Sequence, residues 1–316
     1  MIKYFYKEDG NLKEIDSLTK NCWINVSPPF NMEKLERLSR EAEVPFEFIV
    51  DCIDQYERSR YDKEDDAKLI VINTPIVNQG IDTDDDATYI TVPVGIILKP
   101  DLFITISSLA NPMIQWFEKN PIKNIKPENK EMFILKIFER NVEYYLHYLR
   151  EINKRMAMIE KELDDSGKNV ELKKLLNLQK SLVYFVNDLR ANEMVMMKIQ
   201  RTDFLNIYEN EEAKDFLQDI IIDNSQAMEM ANVYTHITAS TMDAFANILS
   251  NNLNNVMKRL TSITVILMLP TLVASMYGMN VHLPFQENRY AFTITIIIAF
   301  VFAILFAYYF QKRKWL

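Results

Sequence analysis

Glycine is scarce in this chain, five in 316 residues, and none lies between Glu212 and Met276. Pro270 is the only proline in that stretch, so almost nothing there can stop a helix. Cysteine is scarcer still. Cys22 and Cys52 both stand in apolar surroundings and match no metal-ligand spacing, so they read as small core residues rather than a disulfide or a metal site. The three histidines, His147, His236 and His282, are scattered, and no nucleophile motif accompanies them. No Gly-rich Lys-Ser/Thr loop occurs either. Neither an enzyme nor a nucleotide site is expected. Basic residues are outnumbered 36 to 44, giving a net charge of −8, which argues against nucleic acid as a partner. The opening "MIKYFYKEDGNLKEIDSL" turns polar too early for an export leader, so the bulk of the chain is expected in the cytoplasm.

What is present falls into zones. Residues 1–125 alternate strand-like runs ("IKYFY", "CWINV", "KLIVINTPIV", "TYITVPVGIIL", "LFITIS") with two helical patterns, "NMEKLERLSREAEV" and "PFEFIVDCIDQY". Pro45 suits the first turn of the second helix. This zone predicts a compact α/β unit. The acidic "DTDDDAT" lacks the central glycine and terminal Glu of a calcium loop and reads as a solvated turn. Residues 126–207 carry a long charged helical pattern broken at "DDSGK", which predicts an antiparallel hairpin, with Met194, Met196 and Met197 as hairpin packing. Residues 208–259 predict a stalk helix without a breaker.

Two apolar runs follow. Residues 260–277, "LTSITVILMLPTLVASMY", hold no charge and are close to the minimum for a membrane span; residues 290–310, "YAFTITIIIAFVFAILFAYYF", are long enough outright. Between them lies a loop, 278–289, and after them a basic tail, 311–316. Lys258 and Arg259 precede the first span, and Lys312, Arg313 and Lys314 follow the second, so both ends of the pair are expected on the cytoplasmic side of the cell membrane.

The first span is more polar than an anchor requires. Asp243, Asn247, Ser250, Asn254, Met257, Thr261, Thr264, Met268, Thr271 and Ser275 recur at steps of three and four, a stripe of period 3.5 as in parallel helices around a common axis. Two spans cannot enclose a wet path alone, so a pore needs several subunits. The stripe offers amide and hydroxyl oxygens without a fixed charge inside the span. Magnesium sheds its inner waters reluctantly, and such oxygens can bond those waters without stripping them.

"YGMN" (277–280) at the end of the first of two C-terminal spans, with "NNVMKRLT", "MLPTLVASMYGMN" and the tail "KRKWL", resembles the signature of CorA-type magnesium transport proteins, the two-span GMN family. The likeness runs over the whole architecture. It implies an α+β membrane protein: a cytoplasmic α/β domain, a helical ("willow") hairpin, and a stalk helix continuing into the first transmembrane helix, assembled as a funnel-shaped homopentamer. It implies an entrance ring of Gly278, Met279 and Asn280, and pore positions Asn254, Met257, Leu260, Thr261, Met268 and Thr271, with Asp243 lower on the stalk. Met257, Leu260 and Met268 would form an apolar constriction. Lys312, Arg313 and Lys314 would form a basic collar at the cytoplasmic mouth. Regulatory Mg²⁺ would bind Asp51 and Asp219 between subunits, with Asp54 competing for the first place and Asp215 and Asp223 supplementing the second. Mg²⁺ is thus both the transported and the regulatory ion. Members often carry Met-Pro-Glu-Leu after the signature; "VHLPFQEN" stands here instead.

The expected function is passive, potential-driven uptake of hydrated Mg²⁺, with Co²⁺ or Ni²⁺ as further cargo. A zinc or other divalent-cation transporter of the same superfamily, coupled to protons, is the alternative. A membrane-tethered signalling protein is the distant one.

Overall fold

The computed structural model describes residues 1–8, 11–78, 80, 87–120, 130–166, 169–279 and 290–315. These form two compact units, Met1–Ser240 and Thr241–Leu316.

The first unit is built on one seven-stranded sheet of β1 (Ile2–Glu8), β2 (Asn11–Ile15), β3 (Cys22–Val26), β4 (Arg60–Glu64), β5 (Ala67–Val77), β6 (Tyr89–Lys99) and β7 (Leu102–Ser107), in the order β2-β1-β3-β7-β6-β5-β4. Every neighbouring pair is antiparallel except β3 and β7. Strand residues alternate between faces. Cys22, Ile24 and Val26 of β3 join Leu69, Val71, Ile104 and Ile106 in a core covered by α1 (Met32–Ala42) and α2 (Phe46–Asp51). From the same strand, Trp23 points the other way and packs on Phe5, Phe103 and Phe133 at 4.8, 6.1 and 5.4 Å between ring centres. Phe133 belongs to α4 (Lys130–Ser166), which covers this second face together with α3 (Pro112–Lys119) and α5 (Asn169–Thr202).

All five expected strands and both helical patterns occur, with local differences. The edge strands β2 and β4 are short and mostly polar, as edges often are, with too few apolar residues to announce them. Helix α3 starts on Asn111, whose side chain accepts from Met113 N–H at 2.9 Å, with Pro112 in the first turn. Helix α2 ends at Asp51 although the periodicity runs on to Tyr56. Ile53 and Asp54 N–H bond the carbonyls of Val50 and Asp51, tightening the end, and the Asp54 carboxylate takes Tyr56 N–H at 2.9 Å. Pro45 is the N-cap of α2, one place before its first turn. Both cysteines are free and buried. Cys52 rests on Gly95 of β6, where an added Cβ would lie 1.9 Å from its sulfur, so only glycine fits. Of the three hairpin methionines, Met196 is buried while Met194 and Met197 are each 54% exposed; those two face outward and do not pack the hairpin. Most of the "DTDDDAT" turn lies outside the described residues.

Helix α6 runs unbroken from Glu211 to Tyr277, 67 residues, or roughly 100 Å at 1.5 Å per residue. Pro270 sits inside it without ending it. Helix α7 follows at Ala291–Lys312. Both are long and apolar enough to cross a membrane.

Candidate ion path

The second unit holds the residues on which conduction would rest. From Thr261 on, the buried and half-buried positions of α6 fall on one side: Ser262 fully, then Val265, Ile266, Leu269, Pro270 and Val273 in part. At 100° per residue, the centre of that side lies roughly 150° from the centre of the stripe members Thr261, Thr264, Met268, Thr271 and Ser275. On α7 the buried positions are Ala299, Ala303 and Phe310, with Ala307 half-buried, a small-residue series suited to close helix packing. The stripe is left uncovered. Asp243, Asn247, Ser250, Asn254, Met257, Thr261, Thr264, Met268, Thr271 and Ser275 are all exposed, and so is Leu260. Met257 and Met268 are 50% and 62% exposed, large apolar side chains on either side of Thr261 and Thr264.

The hydroxyls on this helix have defined polarity. Thr264 and Thr271 donate to the carbonyls of Leu260 and Leu267, each at 2.8 Å. With the hydrogen spent on the backbone, each oxygen presents lone pairs only. An acceptor-only oxygen suits the outward-pointing hydrogens of a cation's water shell. Ser262, on the buried side, donates likewise to Lys258 O at 2.8 Å.

The helix ends where the sequence predicts, at Tyr277. Gly278 N–H bonds the carbonyls of Ala274 and Ser275, both at 3.1 Å. Its backbone is not left-handed, and an added Cβ would meet Ser275 O at 3.4 Å, an ordinary contact. Among the described residues nothing at this position demands glycine. Met279 is exposed, while Asn280, His282 and the rest of the loop to Arg289 lie outside the described residues.

The first unit holds the acidic candidates, and it does not gather them. Asp51 is held by Arg60, Oδ2 to Nη2 at 2.6 Å, and the same guanidinium bonds Glu57 at 2.8 Å and Asp62 at 3.0 Å. Asp215, Asp219 and Asp223 are exposed one turn apart on α6. Among the described residues, no group of three or more His, Cys, Asp or Glu side chains is placed to hold a metal. The Asp51–Arg60 pair was not foreseen, though an arginine nine residues after the aspartate was there to be noticed.

A family model described as the CorA-like Mg²⁺ transporter protein matches residues 19–313. The chain belongs to that family. It is 28% identical to the cobalt/magnesium transport protein CorA of Methanocaldococcus jannaschii, over 98% of each chain. It is 26% identical to the magnesium transport protein CorA of Helicobacter pylori strain 26695, over 80% of this chain and 78% of that one. The complete structure of the CorA magnesium transporter from Methanocaldococcus jannaschii superposes with a TM-score of 0.82 at 23% identity, covering 100% of this chain and 99% of the other. The α/β domain, long hairpin, stalk helix and pair of C-terminal helices expected from the sequence are therefore the architecture of this CorA-family chain.

Proposed function

We propose that this protein is a magnesium channel of the cell membrane, formed by five copies whose α6 helices line a common axis. One observation carries the reading: a face of α6 from Asn254 to Ser275 that is exposed in the single chain and that offers acceptor oxygens and apolar side chains but no charge. A monomer that turns hydroxyl and amide oxygens toward lipid would be costly. Copies around an axis remove that cost and give the oxygens a wet lumen. Hydrated Mg²⁺ then passes by exchanging hydrogen bonds with its shell while the ion keeps its waters. Met257, Leu260 and Met268 form the narrow, dewettable part of the path. Asn280, with Gly278 and Met279, rings the outer mouth, where glycine leaves room for neighbouring subunits rather than relieving strain within one.

The basic residues flanking the two spans place both ends of the pair, and the soluble unit, in the cytoplasm. Inward movement is then driven by the membrane potential, about 2.3 kcal/mol per charge per 100 mV and roughly twice that for a divalent ion. Asp219 and Asp51 sense cytosolic Mg²⁺ between subunits. Asp51 enters that role already paired with Arg60, so the ion must compete with a resident guanidinium.

The test is magnesium flux into liposomes holding the purified protein, with a trapped indicator and an imposed inside-negative potential. Uptake that is blocked by cobalt hexaammine, lost in Asn280→Ala, reduced several-fold in Thr271→Val and retained in Thr271→Ser supports the reading. Potential-independent zinc uptake driven by a proton gradient would replace it with the coupled transporter.

A further inference from the structure

The C-terminal end of α7 has a built geometry that ion conduction does not use. Lys314 adopts a left-handed backbone with φ of 57°, and Trp315 N–H reaches back to Phe310 O at 3.0 Å while Lys314 N–H bonds Gln311 O at 3.0 Å. This reversal lays the Trp315 ring flat on Phe310, 5.7 Å between centres and 12° between planes. It is a helix stop with a lysine where glycine is usual, held by an aromatic stack. Beside it the Arg313 guanidinium lies over the Tyr309 ring at 5.8 Å. Counting 100° per residue, Lys312 falls on the side of α7 roughly opposite buried Ala303. It therefore lies on the exposed side of α7.

The C-terminal part of the chain is rich in cations and poor in acids. Lys258 and Arg259 precede the first span, and the basic flanks assign them to the same membrane face as Lys312, Arg313 and Lys314. No acidic residue occurs in 244–286 or 288–316, in a chain whose net charge is −8. Cations of this density, fixed at headgroup depth among aromatic rings, need counter-charge from the membrane itself.

We propose that Lys312, Arg313 and Lys314, framed by Tyr309 and by the Phe310–Trp315 stack, form a binding site for the phosphate of an anionic phospholipid. The CorA-type resemblance makes the same three residues a collar around the cytoplasmic mouth. Their position on α7, off the helix that bears the polar stripe, points to the bilayer instead. Arg313 is the centre of the site: its planar fork suits phosphate, and the Tyr309 ring holds it in place before a lipid arrives. The inference rests on the membrane placement of α7 and not on ion conduction.

Trp315 reports on the site directly, because the other two tryptophans, Trp23 and Trp116, belong to the first unit. The full chain is reconstituted in phosphatidylcholine vesicles carrying a small, equal fraction of either brominated phosphatidylglycerol or brominated phosphatidylcholine, and tryptophan quenching is compared. The phosphatidylglycerol should quench more strongly, and Trp315→Phe should remove the difference. Arg313→Gln should lower the local enrichment about fivefold, the worth of one cation near an anionic surface. Equal quenching by the two lipids overturns the proposal. So does loss of the difference on adding soluble glycerol phosphate, which would make this a site for free phosphate rather than lipid. No flux is measured, so a chain that conducts nothing can still pass or fail.

Discussion

The side-chain amide of Asn192 on α5 pairs with the backbone of Asn73 on β5 as a neighbouring strand would. Asn73 N–H donates to Asn192 Oδ1 at 3.0 Å, and Asn192 Nδ2 donates to the Asn73 carbonyl at 2.8 Å. Strand β4 begins at Arg60, opposite Val71, and so cannot reach Asn73. The side chain takes the missing place. Ser59 Oγ donates to the same Oδ1 at 2.7 Å, and Asn141 and Tyr145 also donate to the Asn73 carbonyl. Pro75 follows two residues on, at a position where no strand asks for its N–H.

Asn192→Ala should therefore cost about 3 kcal/mol, since it strands a buried backbone donor as well as removing bonds. Asn192→Asp should cost more, because it turns a carboxylate toward the Asn73 carbonyl. Thermal unfolding of the full chain in detergent checks both; a loss within experimental error in either would remove the strand-completing role.

Gly95→Ala should destabilise the first unit by about 3 kcal/mol through overpacking. Replacing Cys52 with alanine in the same chain should restore only part of this. The new methyl would lie 1.9 Å from the Cys52 sulfur but also 2.7 Å from its Cβ, and the Cβ remains. Urea denaturation of the single and double variants measures the two contributions.

Asp188 lies on α5 beneath the sheet, where burial raises its pKa above the ordinary carboxylate value despite a hydrogen bond from Thr91. For an acid with a raised folded-state pKa, the favourable contribution is complete below the unfolded pKa and disappears as pH rises through the folded one. Asp188→Asn keeps an acceptor for Thr91 and removes the titration. The variant should gain stability relative to the parent as pH rises from about 4 to 7, read as the difference between their melting temperatures. A difference independent of pH would show that Asp188 is not the source.

Asp219→Ala should leave transport active at internal Mg²⁺ concentrations that close the parent, because the variant lacks a carboxylate for the regulatory ion. Liposome flux at graded internal Mg²⁺ gives the closing curve. A curve identical to the parent's would move sensing to other acidic residues.

Much of this was legible before any coordinates. Runs of β-branched and aromatic residues exposed the five inner strands because each is buried on at least one face, and the stripe on α6 was countable because a helix repeats so regularly. The two edge strands were hidden because they are short and mostly polar, with only Ile15 and Tyr61, among the described residues, turned to apolar neighbours. Asn192 was hidden for another reason: its partner lies 119 positions away, and only the tertiary fold brings the amide to the strand. Gly278 was legible as a helix end, and its backbone there is not left-handed. Asp51 and Asp219 were carried by resemblance, and the fold added what resemblance could not, an arginine already in contact with the first of them.

The continuity of α6 also fixes how this protein can change in length. No loop interrupts the helix between Asn254 and Thr271, so nothing there absorbs a missing residue. Deleting one residue in that segment would turn everything beyond it by about 100°, swinging Thr264 and Thr271 off the stripe. Deleting seven would turn it by only about 20° and leave the pattern in phase. Point substitutions can accumulate along this helix one at a time, whereas a deletion of seven, which keeps the phase, would take about 10 Å from a span already near the minimum length.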